Sequence, residues 1–199
     1  MNGERASEAA EGTAYAYRSS MFGAAREFRL TGDGIEWTAG RRSGQIPFRA
    51  VRRLRLSFKP ANMQWQRFLT EVWADGAPKL EIVSTSWKSM VEQERLDRPY
   101  TAFVTELHRR IALAGPPARF ERGRSPFLYW PSLTVFAGVA LVASTLIVRA
   151  LQSDAKGGAA FIAGFLVLFL WQGGKYFRLN RPGVYYPIDL PIQLLPRYG

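Results

Sequence analysis

Two long uncharged apolar runs constrain this chain more than any other feature in it. From Leu128 to Val148 the sequence reads LYWPSLTVFAGVALVASTLIV, with no charged residue in 21 positions. As a helix rising 1.5 Å per residue this run would measure roughly 31 Å, close to the thickness of a bilayer hydrocarbon core. Pro131 falls in the first turn, where a missing N–H costs little. Tyr129 and Trp130 stand where an interfacial aromatic belt belongs. The second run, Gly158 to Gln172, reads GAAFIAGFLVLFLWQ and reaches 20 residues when extended through Phe177. Lys175 would then snorkel toward the headgroups beside Trp171, Tyr176 and Phe177. Two such runs, joined by LQSDAKG, are hard to bury within a chain of 199 residues. The expectation is a transmembrane hairpin over 127–177, with helices at about 128–148 and 158–177.

Arginine and lysine orient that hairpin. Arg119, Arg122 and Arg124 precede the first run, and Lys175, Arg178 and Arg181 close the second. The connecting loop offers Arg149 and Lys156, offset by Asp154. Positive residues favour the cytoplasmic side, so both termini are expected inside, with the short loop outside, in a multi-pass protein. Ala140 and Ser144 in the first run, with Ala160 and Gly164 in the second, have the small-xxx-small spacing of a helix-packing seam. Such a seam would serve the hairpin itself or a partner. Neither run holds an ionisable residue near its centre, which argues against an ion or proton pathway through this chain alone.

The remainder is polar enough to make the mean hydropathy slightly negative. Residues 1–14, rich in Glu and Ala, are expected to form a disordered leader, and they lack the apolar core of a secretory signal. A soluble domain is expected over 15–118. Asp33-Gly34 and Asp75-Gly76 sit between alternating apolar stretches and predict tight hairpins. Phe28 and Leu30 lead into the first pair, and Ile35 and Trp37 lead out. Phe68 to Trp73 and Leu80 to Val83 flank the second. Between them, Leu54, Leu56 and Phe58 alternate with Arg53, Arg55 and Ser57. Tyr100, Phe103, Val104, Leu107 and Ile111 recur at three- and four-residue intervals, one face of a helix, which Gly115-Pro116-Pro117 would stop. Strands in succession followed by one helix imply an α+β fold, an antiparallel β-barrel or sandwich capped by a C-terminal helix.

That order resembles the bacterial pleckstrin-homology-like domains, small β-barrels or sandwiches plugged by a closing helix. The resemblance covers about residues 15 to 115. It is carried by the strand after Ile46-Pro47-Phe48, the Asp75-Gly76 hairpin and the helix from Tyr100 to Ile111. In many membrane-bound members the hairpin precedes or interrupts the domain, whereas here it is expected to follow. The whole is similar to bacterial inner-membrane proteins of uncharacterised function. The tail, 178–199, carries four prolines from Pro182 to Pro196, which preclude a continuous helix. It either folds back on the soluble domain or stays free.

Little in the chain points to catalysis. With no cysteine there is no thiol nucleophile, thiolate metal site or disulfide. His108, the sole histidine, is expected on the surface or at the rim, and one histidine without cysteines cannot build the usual zinc site. Gly32-Asp33-Gly34 lacks the lysine and the following helix of a phosphate loop. Glu92 and Glu94 read as part of a solvated stretch, VEQERLDR. No metal or other cofactor is expected. Trp37, Trp65, Trp73 and Trp87 are expected mostly in the core. Positive charge is the more suggestive feature: residues 1–126 hold 21 basic and 14 acidic side chains. Arg41 and Arg42 are placed in a loop, while Arg49, Arg52, Arg53 and Arg55 crowd the next strand, with Lys59 beyond it. A tethered basic face is drawn to anionic headgroups, or it is an ordinary solvated face. Nucleic acid is not expected, because no recognition motif accompanies the charge. The leading expectation is a non-enzymatic adaptor contacting a membrane protein or an anionic lipid surface. The alternative is a regulatory or assembly subunit of an inner-membrane complex that uses the hairpin as its interface.

Overall fold

In the computed structural model, which describes residues 13–20, 23–60, 66–88 and 93–196, the chain divides into two compact units. One comprises Met1–Arg122 together with Gly183–Gly199, and the other is Gly123–Pro182. The fold is α+β. Most of the expected leader (1–12), Trp65 and Glu92 lie outside the described residues.

The first unit opens with a four-stranded antiparallel meander, β1 (Ala14–Arg18), β2 (Ala25–Leu30), β3 (Gly34–Ala39) and β4 (Arg42–Pro47). A 3-10 turn over Phe48–Ala50 leads into β5 (Val51–Pro60), β6 (Gln66–Ala74) and β7 (Leu80–Val83), again an antiparallel meander. Both Asp-Gly pairs lie at hairpins, for different reasons. Gly76 has φ +67°, the left-handed region that a side chain resists. Gly34 is needed for closeness: a Cβ there would stand 2.6 Å from the Ile46 carbonyl oxygen on β4. Arg41 is in the turn expected for it, but Arg42 opens β4. That strand is missed by sequence reading because Arg42 to Gln45 are all exposed, so an edge strand shows no alternation. A short pair, β8 (Thr85–Trp87) with β9 (Gln93–Arg95), precedes helix α1 (Asp97–Ala114).

The apolar stripe of α1 is wholly buried, with Tyr100, Phe103, Val104, Leu107 and Ile111 all at 0% exposure. Gly115 ends it in the left-handed conformation, its N–H reaching the Ile111 and Ala112 carbonyls. Tyr15, Tyr17, Phe28, Tyr100 and Phe103 form one aromatic cluster with ring centroids 5.6 to 6.4 Å apart. Tyrosine serves here where phenylalanine would not. The Tyr15 hydroxyl donates to the Val83 carbonyl at 2.6 Å, Tyr17 to the Glu81 carbonyl, and Tyr100 bonds Thr70 at 2.7 Å. The first two bonds tie the β1 edge of the first sheet to the β7 edge of the second, and the third fixes α1 to β6. Burial pushes all three phenols upward, so they remain neutral donors.

The unit then continues across the hairpin. Strand β10 (Arg119–Arg122) lies parallel to β5, and β11 (Gly183–Val184), from beyond the apolar runs, pairs antiparallel with β10. The second sheet therefore has the order β11-β10-β5-β6-β7. A 3-10 turn over Ile192–Leu194 packs on β5, with Leu194 and Pro196 buried. The tail folds back, and the hairpin interrupts the domain rather than following it.

The second unit holds helices α2 (Pro126–Gln152) and α3 (Lys156–Leu179), both long and apolar enough to cross a membrane. They exceed the expected spans and leave only Ser153, Asp154 and Ala155 between them. Asp154 sits at φ +60°, while Ala155 N–H bonds the Ala150 carbonyl and Asp154 N–H the Leu151 carbonyl, the pattern of a Schellman stop.

Candidate functional site

Strand β5 places the five basic residues singled out above in different circumstances. Arg49 precedes the strand, in the 3-10 turn, and is exposed; Lys59 is exposed near the far end. Roughly 30 Å of strand separates the two. Arg52 faces out and is bound to Asp75, with Nη2 to Oδ2 at 2.5 Å. A bulge between Val51 and Arg53 puts Arg53 and Arg55 together on the outer face of the sheet, opposite Leu54 and Leu56 in the core.

On that outer face Trp73 is the centre. It lies across from Arg53 in register, and the Arg53 guanidinium sits 3.9 Å from its ring centroid. Arg55 and Lys79 stand 5.3 and 5.8 Å from the same ring. Carboxylates neutralise part of this cluster. Arg55 bonds Glu121 on β10 at 2.5 Å, and Lys79 bonds Glu71 at 2.9 Å and Glu81 at 2.6 Å. The Lys79 bond holds the Glu81 carboxyl below the usual range, and nearby Lys59 adds to the effect. Arg53 pairs with no acid among the described residues, its Nε is buried without a hydrogen-bond partner, and Arg119 lies beside it across the β10–β5 pair. Arg52 and Arg55 of the strand are thus partnered, by an acid in the β6–β7 turn and one on β10, while Arg53, beside the tryptophan, and its neighbour Arg119 have no acid partner among the described residues. The sequence hid this because both partners are distant in the chain.

The described tryptophans of the β unit are not core residues. Trp37, Trp73 and Trp87 are half-buried, and Trp37 lies over Gly44 of β4. The core is filled instead by Tyr, Phe and branched aliphatics.

His108 is not on the surface. It is fully buried on the apolar side of α1, beside the Phe120 and Tyr185 rings at 5.7 and 5.8 Å. Its Nδ1–H donates to the Val104 carbonyl at 2.6 Å, which leaves Nε2 to accept the Tyr185 hydroxyl at 2.7 Å. Burial lowers its pKa to about 4, so it is neutral at pH 7. The expectation failed because Arg109 and Arg110 follow His108 and suggest a polar face, whereas helix geometry sets His108 one turn after Val104, on the buried stripe.

The small residues proposed as a hairpin seam are mostly elsewhere. Ala140 is half-buried between the helices, but Ser144, Ala160 and Gly164 face outward, and a Cβ on Gly164 would meet nothing within 4 Å. Ser144 satisfies its hydroxyl on the Ala140 carbonyl at 2.8 Å. The helices meet instead through rings. Phe136 stacks on Phe169 at 4.5 Å and lies over Gly173, where a Cβ would collide with it. Tyr129 and Phe177 are buried together, and Ala159 is buried farther along. Aromatic bulk on α2 needs one glycine opposite it, a pairing that small-xxx-small spacing does not describe.

No family model, curated protein or solved structure matches this chain.

Proposed function

We propose that this protein is a non-enzymatic membrane-anchored adaptor. A pleckstrin-homology-like domain is held at the cytoplasmic face of a bacterial inner membrane by the α2–α3 hairpin. Its basic sheet face then meets a membrane protein or an anionic lipid surface. The observation that carries this reading is the place of the hairpin, whose flanks pair directly in one sheet, Arg122 with Gly183. Both flanks thereby belong to one folded unit on one side of any membrane that the hairpin crosses, which requires an even number of crossings. Basic residues on both flanks favour the cytoplasmic side.

Two meanders of four and three strands, closed by a helix with a fully buried stripe, support the pleckstrin-homology-like reading. So does the interruption by the hairpin. The non-enzymatic reading is supported by His108, whose two nitrogens are both engaged inside the fold, where a general base would need to reach substrate. The Arg53–Arg119 pair, without an acid partner among the described residues, supports an anionic contact on the sheet. The assembly-subunit reading has one observation in its favour: Ser144, Ala160 and Gly164 face away from the hairpin, leaving room for another helix.

Photocrosslinking of the full chain in its native membranes separates these readings. Probes at the exposed positions 49 and 59 should yield lipid or protein adducts that fade as salt rises, exceeding those from Ser43 on the other sheet. Adducts only from positions 160 and 164 would favour the subunit. Yields at 49 and 59 no greater than at 43 would sink the adaptor reading.

A further inference from the structure

The chain between Val184 and Ile192 leaves its apolar side chains in the open. Val184 is 77% exposed, Tyr186 81%, Ile188 92% and Ile192 73%. Tyr185 and Pro187, between them, are half-buried. A turn closed by Asp189 N–H to the Tyr186 carbonyl, at 3.0 Å, carries Pro187 and Ile188 at its tip. Turn tips facing water are ordinarily built from Gly, Pro, Asn, Asp and Ser, for conformational and hydrogen-bonding reasons, and Pro187 follows that rule where Ile188 does not. An isoleucine there, with a tyrosine and a valine beside it, is an apolar patch that marks a contact.

The exposure is enforced rather than incidental. The segment is pinned by β11 on β10, by Tyr185 N–H to the Phe120 carbonyl at 3.1 Å, by the Tyr185 hydroxyl on His108, and by the turn at Ile192–Leu194 on β5. The inward residue Tyr185 is used for anchoring through both its backbone and its hydroxyl. In an extended segment alternate residues face opposite ways, so Val184 and Tyr186 must point out while Tyr185 points in.

We infer that this turn is a second membrane contact: Tyr186 and Ile188 insert into the headgroup layer of the same bilayer that the hairpin crosses. The inference rests on the hairpin's crossing. Covalent reach supplies the occupant. Val184 follows Leu179, the last residue of α3, by five residues, and Ile188 follows it by nine. At roughly 3.3–3.6 Å per residue these lie within about 18 and 32 Å of the helix end, and headgroups extend several Å beyond the hydrocarbon on each side. The chemistry fits an interface. An aliphatic tip with a tyrosine beside it is preceded by Arg178 and Arg181, while Arg122 and Arg124 stand before the first helix. Tyrosine prefers the headgroup level, and arginines meet the lipid phosphates. Asp189 is the only acidic residue from Leu179 to Pro196.

The absence of cysteine makes the test direct. Single cysteines I188C, V142C on the outward face of α2 and S43C on the exposed β4 edge are labelled with an environment-sensitive fluorophore. The full-length protein is placed in nanodiscs of phosphatidylcholine and phosphatidylglycerol. Lipids spin-labelled near the headgroup should quench the 188 label several-fold more than the 43 label, and aqueous iodide should do the reverse. Lipids labelled deep in the chain should quench the 142 label. If 142 is quenched while 188 behaves like 43, the inference fails and the anchor stands. A blue-shifted 188 label that lipid does not quench would mean a protein covers the turn, and also overturns it. If 142 too escapes lipid quenching, the anchor fails and the inference falls with it.

Discussion

The β unit and the helical hairpin handle the same kinds of side chain in opposite ways. In the β unit, Tyr100, Phe103, Leu107 and Ile111 are fully buried, and phenols and an imidazole are buried only with their polar atoms matched. In the hairpin, Val135, Leu141, Phe165, Val167 and Trp171 are largely exposed, and only a narrow seam is covered, where Phe136 lies over Gly173 and Tyr129, Ala159 and Phe177 are buried. A domain folded by water must hide apolar area. A helix pair folded in lipid gains nothing by hiding it, since hydrocarbon surrounds it on every side, and is held by close packing instead. The exposed apolar surface of the hairpin fits the lipid solvent that the proposed anchoring would give it, and substitutions should expose the difference between the two units.

The largest effect should follow F103A. That ring touches Tyr15 and Phe28 in a dry cluster, and its loss should remove about 3–5 kcal/mol from the β unit in urea titrations. Helicity of the hairpin in detergent should be unchanged. If both units melt together, they are one cooperative body and the contrast breaks.

Acid is the next strongest perturbation. His108 stays neutral in the native protein down to about pH 4, whereas in the unfolded chain it protonates near 6.5. Between those values the unfolded chain binds more protons. Stability fully present above pH 6.5 is therefore lost as pH falls toward 4, by about 3 kcal/mol in all. Urea midpoints across that range should fall steeply for the wild type and less for H108Q. Parallel slopes would mean that the buried imidazole is not the group responsible.

Within the hairpin, G173A should disturb the Phe136 seat and weaken helix pairing by about 1–3 kcal/mol. G164A, facing outward, should change pairing by less than about 0.5 kcal/mol. Equal effects in a helix-association assay would return the seam to small-xxx-small spacing. Smallest in the β unit is Y185F, which removes one hydroxyl donor and should cost about 1 kcal/mol. Faster proteolysis of the tail is the accompanying readout. An unchanged cleavage rate would show that β11 and the 3-10 turn hold the tail unaided.

Where sequence reading succeeded, the signal was local. The stripe Tyr100–Ile111 and the two apolar runs identify helices because period and length are written in consecutive residues. Asp75-Gly76 marks its turn because Gly76 must adopt positive φ. The candidate site was less legible. The arginines of β5 were visible, but which of them is neutralised depends on Asp75 in the β6–β7 turn and Glu121 on β10, both distant in the chain. His108 misled because its neighbours in sequence are not its neighbours in space.

The sequence by itself determined that two helices are long and apolar enough to cross a membrane. It also determined that an amphipathic helix follows a run of strands, because hydrophobic pattern and chain length decide those things without reference to distant residues. Only the tertiary structure decided that the hairpin is an insertion, that the proline-rich tail completes a sheet, and that Tyr185 caps a buried histidine 77 residues earlier. Each of these joins segments far apart in the chain. Their pairing is set by which sheet edges and buried acceptors remain unsatisfied once the local elements have formed.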